Sequence, residues 1–289
     1  MYSVAIISDI HDWHSQQLES NLLKKKCKVI KLNYDEIYAM FSKEKIFHFN
    51  KALKNINGIW VRFIKNGSLE EITTKLTFLH LLKQEGIYIH NSADTIEKTV
   101  DKVRTTGLLE INKIRSPETM VRIGKIKELN SQNNFLLKPI FGSQGKNIRL
   151  IKSLSDLKKS DAVGNVYYLQ KFLGDVNKKK HCDIRVLVSN HEPIAIMKRL
   201  SNKIITNAYQ GAFIKKMKIN NEISYLSKKV SKLFNLGYGG IDLKFFEDEY
   251  YVLEVNSVPS WKSIQELESK NLSKILVEDF INNMKKNVF

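Results

Sequence analysis

The sequence of 289 residues predicts an α/β domain over residues 1–92, followed by an α+β region over residues 93–289. Short apolar runs alternate with helical patterns in the first part, which is typical of a parallel sheet with helices on its faces. Strand patterns dominate the second part, and the last two of them flank an acidic turn. The length suits two domains, or one large domain with a lid.

Four strands and two helices are predicted in the first hundred residues. The strands are Ser3–Ile7, Lys28–Leu32, Gly58–Ile64 and Ile87–His90. One helix covers Leu69–Gln84, where leucine and isoleucine recur at helical spacing. The other is predicted over Asn91–Val103, with Asp94 as its N-cap and Glu97 three residues further on.

Five strands and one helix are predicted between residues 135 and 234. The strands are Phe135–Ile140, Asn147–Ile151, Val166–Phe172, Asp183–Val188 and Pro193–Lys198. The stretch Ser189–Glu192 consists of turn-forming residues, so we expect the last two strands to form a hairpin. The helix is predicted over Ile223–Phe234.

The net charge of +17 is compatible with several kinds of protein. It suits a nucleic-acid-binding protein, an enzyme for anionic ligands, or a chain from a lysine-rich proteome. The lysines are scattered along the chain rather than gathered in one basic stripe with interleaved aromatic residues. This distribution argues against nucleic acid as the partner.

Three further features of the sequence indicate a cytoplasmic protein. No apolar stretch approaches the roughly 20 residues that span a bilayer, so no membrane partner is expected. The N-terminus has neither a basic region nor a small-residue cleavage site, so no signal peptide is predicted. Cys27 and Cys182 are the two cysteines, too few for a disulfide framework.

Asp242, Glu254 and Asn256 are the predicted metal ligands. If the hairpin around the acidic turn is centred on Asp248, Asp242 lies opposite Glu254, at about 5 Å between Cβ atoms. Asn256 is two residues further and therefore lies on the same face of the sheet. Oxygen ligands of this kind suit Mg²⁺, which commonly uses one or two carboxylates and substrate phosphates.

The same hairpin pattern makes two other predictions. Leu253 and Val255 are expected to point away from the acidic pair, into the core. A solvated hairpin whose carboxylates pair with lysines, such as Lys244, explains the acidic residues about as well as a metal site does.

A phosphate site is predicted where a strand runs into a loop with two glycines. Gly142 and Gly145 permit backbone conformations in which N–H groups converge on an anion. Lys138 lies in the apolar strand before them, where an unpaired ammonium is costly. The spacing is not that of a Walker loop, and a glycine turn with a snorkelling lysine remains an alternative.

Polar residues on the following strands could complete such a site. Asp183 and Arg185 alternate on one face of their strand, and Arg199 and Asn207 follow the next strand. A fixed cation beside a phosphate can stabilise charge that develops during transfer. A structural pair between Asp183 and Arg185 is the alternative.

Taken in order, these segments resemble the ATP-grasp ligases and, within them, the RimK-like amino-acid ligases. The matching stretches are Asp101–Thr106, Leu137–Gly145, Leu169–Phe172, Cys182–Arg185, Thr206–Asn207, Gly240–Asp242 and Leu253–Pro259. The resemblance implies an ATP-grasp fold with an N-terminal α/β pre-ATP-grasp domain. It also implies a smaller lid lobe at about residues 116–172 and a larger catalytic lobe at about residues 173–289.

The resemblance also implies a role for each site residue. ATP would be bound by Lys102, Lys138, Gly142, Ser143, Gln144, Gly145, Gln170, Lys171, Phe172 and Asp183. Mg²⁺, as two ions that Mn²⁺ can replace, would be held by Asp242, Glu254 and Asn256. The transferred phosphate and the activated carboxylate would face Arg185, Arg199 and Asn207. Many relatives have Gln-Glu-Tyr at positions 170 to 172, a difference that main-chain contacts with adenine would survive.

The family chemistry implied is carboxylate activation. A carboxylate attacks the ATP γ-phosphate to give an acyl phosphate, and an amine then displaces phosphate to form an amide. The implied partners are a small-molecule carboxylate acceptor and an amino acid. No nucleophilic side chain is needed, and the two cysteines lack a matching His and Asn arrangement.

Several segments are similar to one branch of the family, which adds glutamate to tetrahydromethanopterin-type coenzymes. These are Trp60–Phe63, Gly67–Glu71, Leu79–Leu82 and Val258–Trp261. Other branches act on a peptide or protein carboxylate, by amino-acid addition or macrocyclisation, and that alternative stays open. A basic nucleic-acid-binding protein is the remote alternative, and assembly into a homo-oligomer is left open.

Overall fold

The first sheet of the protein is parallel. The computed structural model describes residues 1–41, 48–49, 53, 55–129, 133–142, 145–157, 163–207 and 211–287. Its first six strands are β1 (Ser3–Ile7), β2 (Lys28–Leu32), β3 (Ala39–Met40), β4 (His48–Phe49), β5 (Gly58–Val61) and β6 (Tyr88–His90). As predicted, four of them form a parallel sheet, and its strand order is β2-β1-β5-β6. Strands β3 and β4 form a separate antiparallel pair.

Two helices accompany the parallel sheet, namely α1 (Trp13–Lys24) and α2 (Leu69–Gln84). The predicted bounds of α2 are confirmed. Strand β1 is fully buried from Val4 to Ile7, as expected for a central parallel strand with both faces covered.

The helix predicted over Asn91–Val103 is two helices, α3 (Ala93–Val100) and α4 (Lys102–Ile111). The prediction of Asp94 as the cap is wrong, because Ser92 caps α3 and Asp94 pairs with Lys98 at 2.6 Å. Asp101 has extended backbone angles and caps α4, accepting hydrogen bonds from the N–H groups of Val103 and Arg104. This break makes Lys102 the first residue of α4.

A smaller antiparallel sheet follows. Its strands are β7 (Thr119–Ile123), β8 (Phe135–Lys138), β9 (Arg149–Ile151) and β10 (Val166–Lys171). Their order is β7-β10-β8-β9, so β7 lies at an edge, beside β10. The sequence did not predict β7, because most of its residues are exposed and show no alternation of buried and exposed positions.

A larger antiparallel sheet completes the chain. Its strands are β11 (His181–Ser189), β12 (Glu192–Ser201), β13 (Phe213–Lys216), β14 (Tyr238–Phe246) and β15 (Glu249–Asn256). Their order is β13-β12-β11-β14-β15. The predicted hairpin between β11 and β12 is confirmed, with Asn190 and His191 at φ 49° and 67° in its turn.

The larger sheet is covered by helices on both faces. Helices α5 (Asn221–Leu233), α6 (Lys262–Gln265) and α7 (Leu272–Asn287) follow β13 and β15. One face packs Val186 and Ile241 against Val230 of α5. The other face belongs to a core that joins Leu187 to Phe280 of α7, and includes Val4, Ile6 and Trp60 from the parallel sheet. Helix α7 therefore connects the hydrophobic cores of the two large sheets.

Within the described residues no helix has the length and apolar character needed to cross a bilayer.

Candidate active site

The smaller and the larger antiparallel sheets both contribute to one cleft of about 960 Å³, a volume that includes the solvent at its mouth. It is lined by twelve of the residues that the sequence predicted: Lys102, Lys138, Gly142, Gly145, Gln170, Lys171, Phe172, Asp183, Arg199, Asn207, Asp242 and Glu254. Arg185 lies beside the cleft, in contact with Asp242. Asn256 is two residues after Glu254 on β15. Ser143 and Gln144 lie outside the described residues.

The acidic pair is positioned by an irregular hairpin. Glu247 and Asp248 form its turn at φ 49° and 62°, as in a two-residue turn of type I′. The prediction that the hairpin is centred on Asp248 is therefore wrong, and Phe246 pairs with Glu249. The register shifts once between Asp242 and Leu243, and this shift places Asp242 opposite Glu254, as predicted.

The register shift also moves Leu253 into the cleft. Val252 pairs with Leu243 and Glu254 with Asp242, so Leu253 is the extra residue of a β-bulge. Val252 and Val255 are fully buried in the core, whereas Leu253 lines the cleft beside Glu254. The prediction that Leu253 points into the core is wrong, because it assumed an unbroken alternation along β15.

Two arginines neutralise the two buried aspartates. Asp242 accepts hydrogen bonds from Nε and Nη2 of Arg185, the latter at 2.7 Å, and lies 3.1 Å from Nη2 of Arg199. Burial disfavours its charge, but the two guanidinium groups outweigh burial and lower the pKa of Asp242 to about 2. The carboxylate therefore stays ionised at neutral pH.

Asp183 pairs with Arg199 and not with Arg185. Both carboxylate oxygens of Asp183 accept from Arg199 at 2.6 Å, and Thr206 donates to the same carboxylate at 2.6 Å. The register explains the partners, because Asp183 lies opposite Arg199 on β12 and Arg185 lies opposite Asp242 on β14. The alternative of a pair between Asp183 and Arg185 is wrong.

Two lysines meet on the opposite wall of the cleft. Lys102 Nζ donates to the Gly142 carbonyl at 3.0 Å and lies 3.4 Å from Glu254 Oε1. Lys138 Nζ donates to Gln170 Oε1 at 2.6 Å. Burial lowers the pKa of Lys138 to about 8, an effect that Glu254 opposes and Lys102 strengthens. An anion bound between these ammonium groups would relieve their repulsion.

The predicted adenine segment uses its backbone amides within the sheet. The N–H of Lys171 donates to the Glu118 carbonyl at 2.8 Å, and that of Phe172 donates to the Asn134 carbonyl at 2.8 Å. Gln170 is buried, and its side chain is engaged by Lys138. Any main-chain contact between this segment and adenine must therefore use backbone atoms other than these two N–H groups.

The available side-chain ligands suit Mg²⁺ better than a metal ion whose ligands must all come from the protein. Within the described part of the chain, no group of three or more His, Cys, Asp or Glu side chains could hold a metal ion. Asp242 and Glu254 face each other, and Asn256 Nδ2 is buried with no hydrogen-bond partner among those residues. An amide can be turned about its last bond to present its oxygen instead. Two carboxylates and one amide leave the remaining positions to phosphate and water, as Mg²⁺ prefers.

Several lining residues were missed by the sequence reasoning. Leu136, Ile148, Leu173 and Leu253 form apolar walls, while His181, Thr206, Lys146 and Lys244 add polar groups. The period of two along a strand could have indicated Leu136 and His181, which share a face with Lys138 and Asp183. Among all lining residues, six cations face three carboxylates, an excess that suits a polyphosphate.

Comparison with known proteins identifies the family. The family model described as the RimK-like ATP-grasp domain matches residues 99–281. The tetrahydromethanopterin:alpha-L-glutamate ligase of Methanococcus maripaludis is 29% identical, over 96% of this chain and 98% of that protein. The ligase of the same name from Methanocaldococcus jannaschii is 32% identical, over 69% of this chain and 72% of that protein.

Solved structures of the ATP-grasp ligase PsnB share the fold. PsnB complexed with a minimal precursor has a TM-score of 0.74 at 16% identity, over 98% of this chain and 99% of that one. PsnB with a phosphomimetic precursor variant, Mg and ADP has a TM-score of 0.71 at 15% identity, with the same coverage. The predicted ATP-grasp fold is thus confirmed. The chain belongs to the RimK-like ATP-grasp family and is a carboxylate–amine ligase that uses ATP and Mg²⁺.

Proposed function

We propose that this ligase adds L-glutamate to a carboxylate of a small polyanionic acceptor of the pterin-coenzyme type. The observation that carries the proposal is the similarity, over nearly the whole length of both chains, to a ligase named for that reaction. The excess of cations around the cleft supports an anionic acceptor as well as a nucleotide. The free thiols of Cys27 and Cys182 agree with a reducing cytoplasm as its location.

We assign the nucleotide to the wall formed by Lys102 and Lys138. Their ammonium groups would bind the phosphates, and the Gly142–Gly145 loop would cover them. Gln170, Lys171 and Phe172 would border the adenine, with Leu253 against its face. Asp183, held by Arg199 and Thr206, would lie near the ribose.

We assign the metal to Asp242, Glu254 and Asn256, as two Mg²⁺ ions that Mn²⁺ can replace. Bound ATP would supply the phosphoryl group, and bound Mg²⁺ would neutralise the charge that builds up on it. Asp242 is kept ionised by Arg185 and Arg199, and Glu254 lies opposite it on the hairpin.

Catalysis by this site rests on positioning and electrostatics. Arg185, Arg199 and Asn207 would face the transferred phosphate and the activated carboxylate. Because both guanidinium groups are already fixed by buried carboxylates, they need no reorganisation when negative charge develops. The acceptor carboxylate becomes an acyl phosphate, and the amino group of glutamate then displaces phosphate.

A screen for ADP release tests the proposal. We expect tetrahydromethanopterin and L-glutamate together to support ADP formation, and mass spectrometry to find the acceptor extended by one or more glutamyl residues. The same assay is repeated with other amino acids, with peptides ending in glutamate as acceptors, and with single-stranded nucleic acid. These assays test a different amino-acid substrate, a peptide acceptor and a nucleic-acid partner. ADP formation with a peptide, but not with the pterin, would overturn the acceptor class.

A further inference from the structure

Outside the cleft, a serine, a histidine and an aspartate form a chain of hydrogen bonds. Ser260 Oγ lies 3.0 Å from His14 Nε2, and His14 Nδ1 lies 2.6 Å from Asp12 Oδ2. Ser260 is exposed and His14 is buried. The order is that of a hydroxyl, an imidazole and an orienting carboxylate, an arrangement that transfers protons in many enzymes.

The start of α1 fixes the orientation of the histidine. Asp12 caps the helix by accepting from the N–H groups of His14 and Ser15 with Oδ1, which leaves Oδ2 for the imidazole. The imidazole is in edge contact with Trp13 and Trp261, at centroid distances of 5.1 and 4.6 Å. Rotation of the ring would break both contacts.

The neighbouring backbone fixes the tautomer. Trp261 N–H donates to His14 Nε2 at 3.2 Å, so that nitrogen is an acceptor and the ring proton is on Nδ1, facing Asp12. Because that nitrogen carries no proton, the hydroxyl of Ser260 is the donor in its contact with Nε2 and shares this acceptor with the Trp261 N–H. Its own lone pairs remain available to accept a proton from another molecule.

Ser260 belongs to the loop that follows β15, the strand that carries the predicted metal ligands Glu254 and Asn256. Gly240 lies between Arg185 and Pro259, because a Cβ added to it would be 2.9 Å from Arg185 Nη1 and 3.1 Å from Pro259 Cβ. Pro259 therefore lies close to Arg185. Arg62 Nη1 donates to the Pro259 carbonyl at 2.9 Å and holds the loop in place. Ser260 is the next residue along the chain after Pro259.

The ligase reaction needs a base at this point, because the amino group of an amino acid is protonated at neutral pH. The carboxylates of the cleft are engaged: Asp183 and Asp242 by arginines, and Glu254 by Lys102. We propose that Ser260, His14 and Asp12 form a proton relay that deprotonates the incoming amine. This inference rests on the proposed function and adds the residues that activate its nucleophile.

The proton transfer balances without any further reactant. The ammonium group gives its proton to Ser260 Oγ while the serine hydroxyl proton moves to His14 Nε2, and the hydrogen bond from the Trp261 N–H to that nitrogen breaks. Asp12 stabilises the resulting imidazolium through Nδ1. The free amine then attacks the acyl carbon, the bond from that carbon to the phosphate oxygen breaks, and the second amine proton leaves on the phosphate as HPO₄²⁻. The imidazolium then returns its proton to solvent.

The electrostatic surroundings keep the imidazole neutral before the reaction. Burial, Arg62 and Lys262 lower the pKa of His14, while Asp12 opposes them. The carboxyl of Asp12 is desolvated, but His14 and Arg62 outweigh this and lower its pKa to about 2. At neutral pH the relay therefore has an ionised Asp12 and an uncharged His14 ready to accept a proton.

Comparing two nucleophiles with the Ser260→Ala variant tests the relay. Hydroxylamine is largely uncharged at neutral pH and traps the acyl phosphate as a hydroxamate without needing a base. With tetrahydromethanopterin as acceptor, we expect near wild-type hydroxamate formation, but glutamate ligation slowed by about 100-fold or more. Ser263→Ala, which removes the same atom from the following helix, is the control and should keep both rates.

The Asp12→Asn variant separates the relay from a structural role, since asparagine also caps helices well. Loss of the carboxylate lowers the pKa of His14 further. In the pH profile of the glutamate ligation rate, we therefore expect the rise on the acid side to shift to lower pH and the maximum rate to fall. Unchanged ligation by Ser260→Ala, or equal loss of hydroxamate and amide, would overturn the relay. If the wild-type enzyme forms no hydroxamate with any acceptor, the proposed function fails, and the relay fails with it.

Discussion

At the scale of single residues, strand register decides which charges in the cleft meet. Asp242 is opposite Arg185 on one side and Glu254 on the other, while Asp183 is opposite Arg199. The charged residues themselves were predictable from the sequence, because carboxylates and arginines on strands need partners. The pair of Arg185 and Asp242 was not, because β11 and β14 are distant in the sequence. The pair of Asp183 and Arg199 was not either, because it depends on a register shift between Leu187 and Val188 in the β11–β12 hairpin.

The role of Glu254 is tested by Glu254→Gln. The amide has nearly the same shape but lacks the charge, so we expect a folded protein whose Mg²⁺-dependent ADP formation falls by two orders of magnitude or more, about 3 kcal/mol. Glu247→Gln, in the exposed turn of the same hairpin, is the matched control. Turnover of Glu254→Gln at the control rate would remove Glu254 from the metal site.

The role of Lys138 is tested by the pH dependence of ADP binding. Because the pKa of Lys138 is lowered to about 8, its positive charge is lost as the pH rises through that value. We expect the affinity for ADP to fall above pH 8 in the wild-type protein. Lys138→Met should bind ADP weakly at all pH values, without this fall. Calorimetry of both proteins, with Lys152→Met as control, measures the effect. An unchanged affinity in Lys138→Met would exclude the lysine from the phosphate site.

At the scale of elements, the β14–β15 hairpin shows what a sequence pattern can and cannot predict. The opposition of Asp242 and Glu254 was predictable, since both lie at similar distances from the acidic turn. The turn type and the bulge compensate for each other, so the predicted pair is correct although the predicted centre is not. The pattern could not indicate the bulge, because Leu253 is apolar both as a core residue and as a wall of the cleft.

The turn of this hairpin is a site where stability can be raised. Asp248 has φ 62°, a conformation that glycine adopts without steric cost. We expect Asp248→Gly to stabilise the protein by up to about 1 kcal/mol. Asp248→Ala keeps the Cβ, removes the polar side chain and should destabilise it. Thermal unfolding measures both variants, and opposite signs are expected. The turn lies outside the cleft, so ADP formation should not change; a stabilised Asp248→Ala would contradict the turn assignment.

At the scale of the whole molecule, one buried asparagine adds polar contacts to the hydrophobic core that joins the parallel sheet to the larger antiparallel sheet. Asn91, directly after β6, donates to the carbonyls of Tyr238 and Ser257 and accepts from the N–H of Gly237, each at 2.7 Å. The sequence predicted the two regions, and the exact domain boundaries stay a prediction. It could not predict these joining contacts, because a lone asparagine after a strand carries no pattern.

The importance of this junction is tested by Asn91→Ala. The variant leaves three backbone groups without this partner, and the hydrogen bonds to two of them are buried, so we expect a cost of about 3 kcal/mol. Asn112→Ala, which removes one exposed side-chain bond at the end of α4, should cost less than about 0.5 kcal/mol. Urea unfolding compares the two variants. Equal stability would mean that Asn91 does not hold the sheets together.

The central claim, that the cleft activates a carboxylate with the γ-phosphate of ATP, is tested most directly by isotope transfer. The acceptor that supports ADP release is labelled with ¹⁸O in its carboxylate, and the released phosphate is examined by mass spectrometry after one turnover with L-glutamate. We predict ADP as the nucleotide product and one ¹⁸O atom in each inorganic phosphate derived from a labelled carboxylate oxygen. Label in AMP, or amide formation with unlabelled phosphate, would contradict an acyl-phosphate ligase.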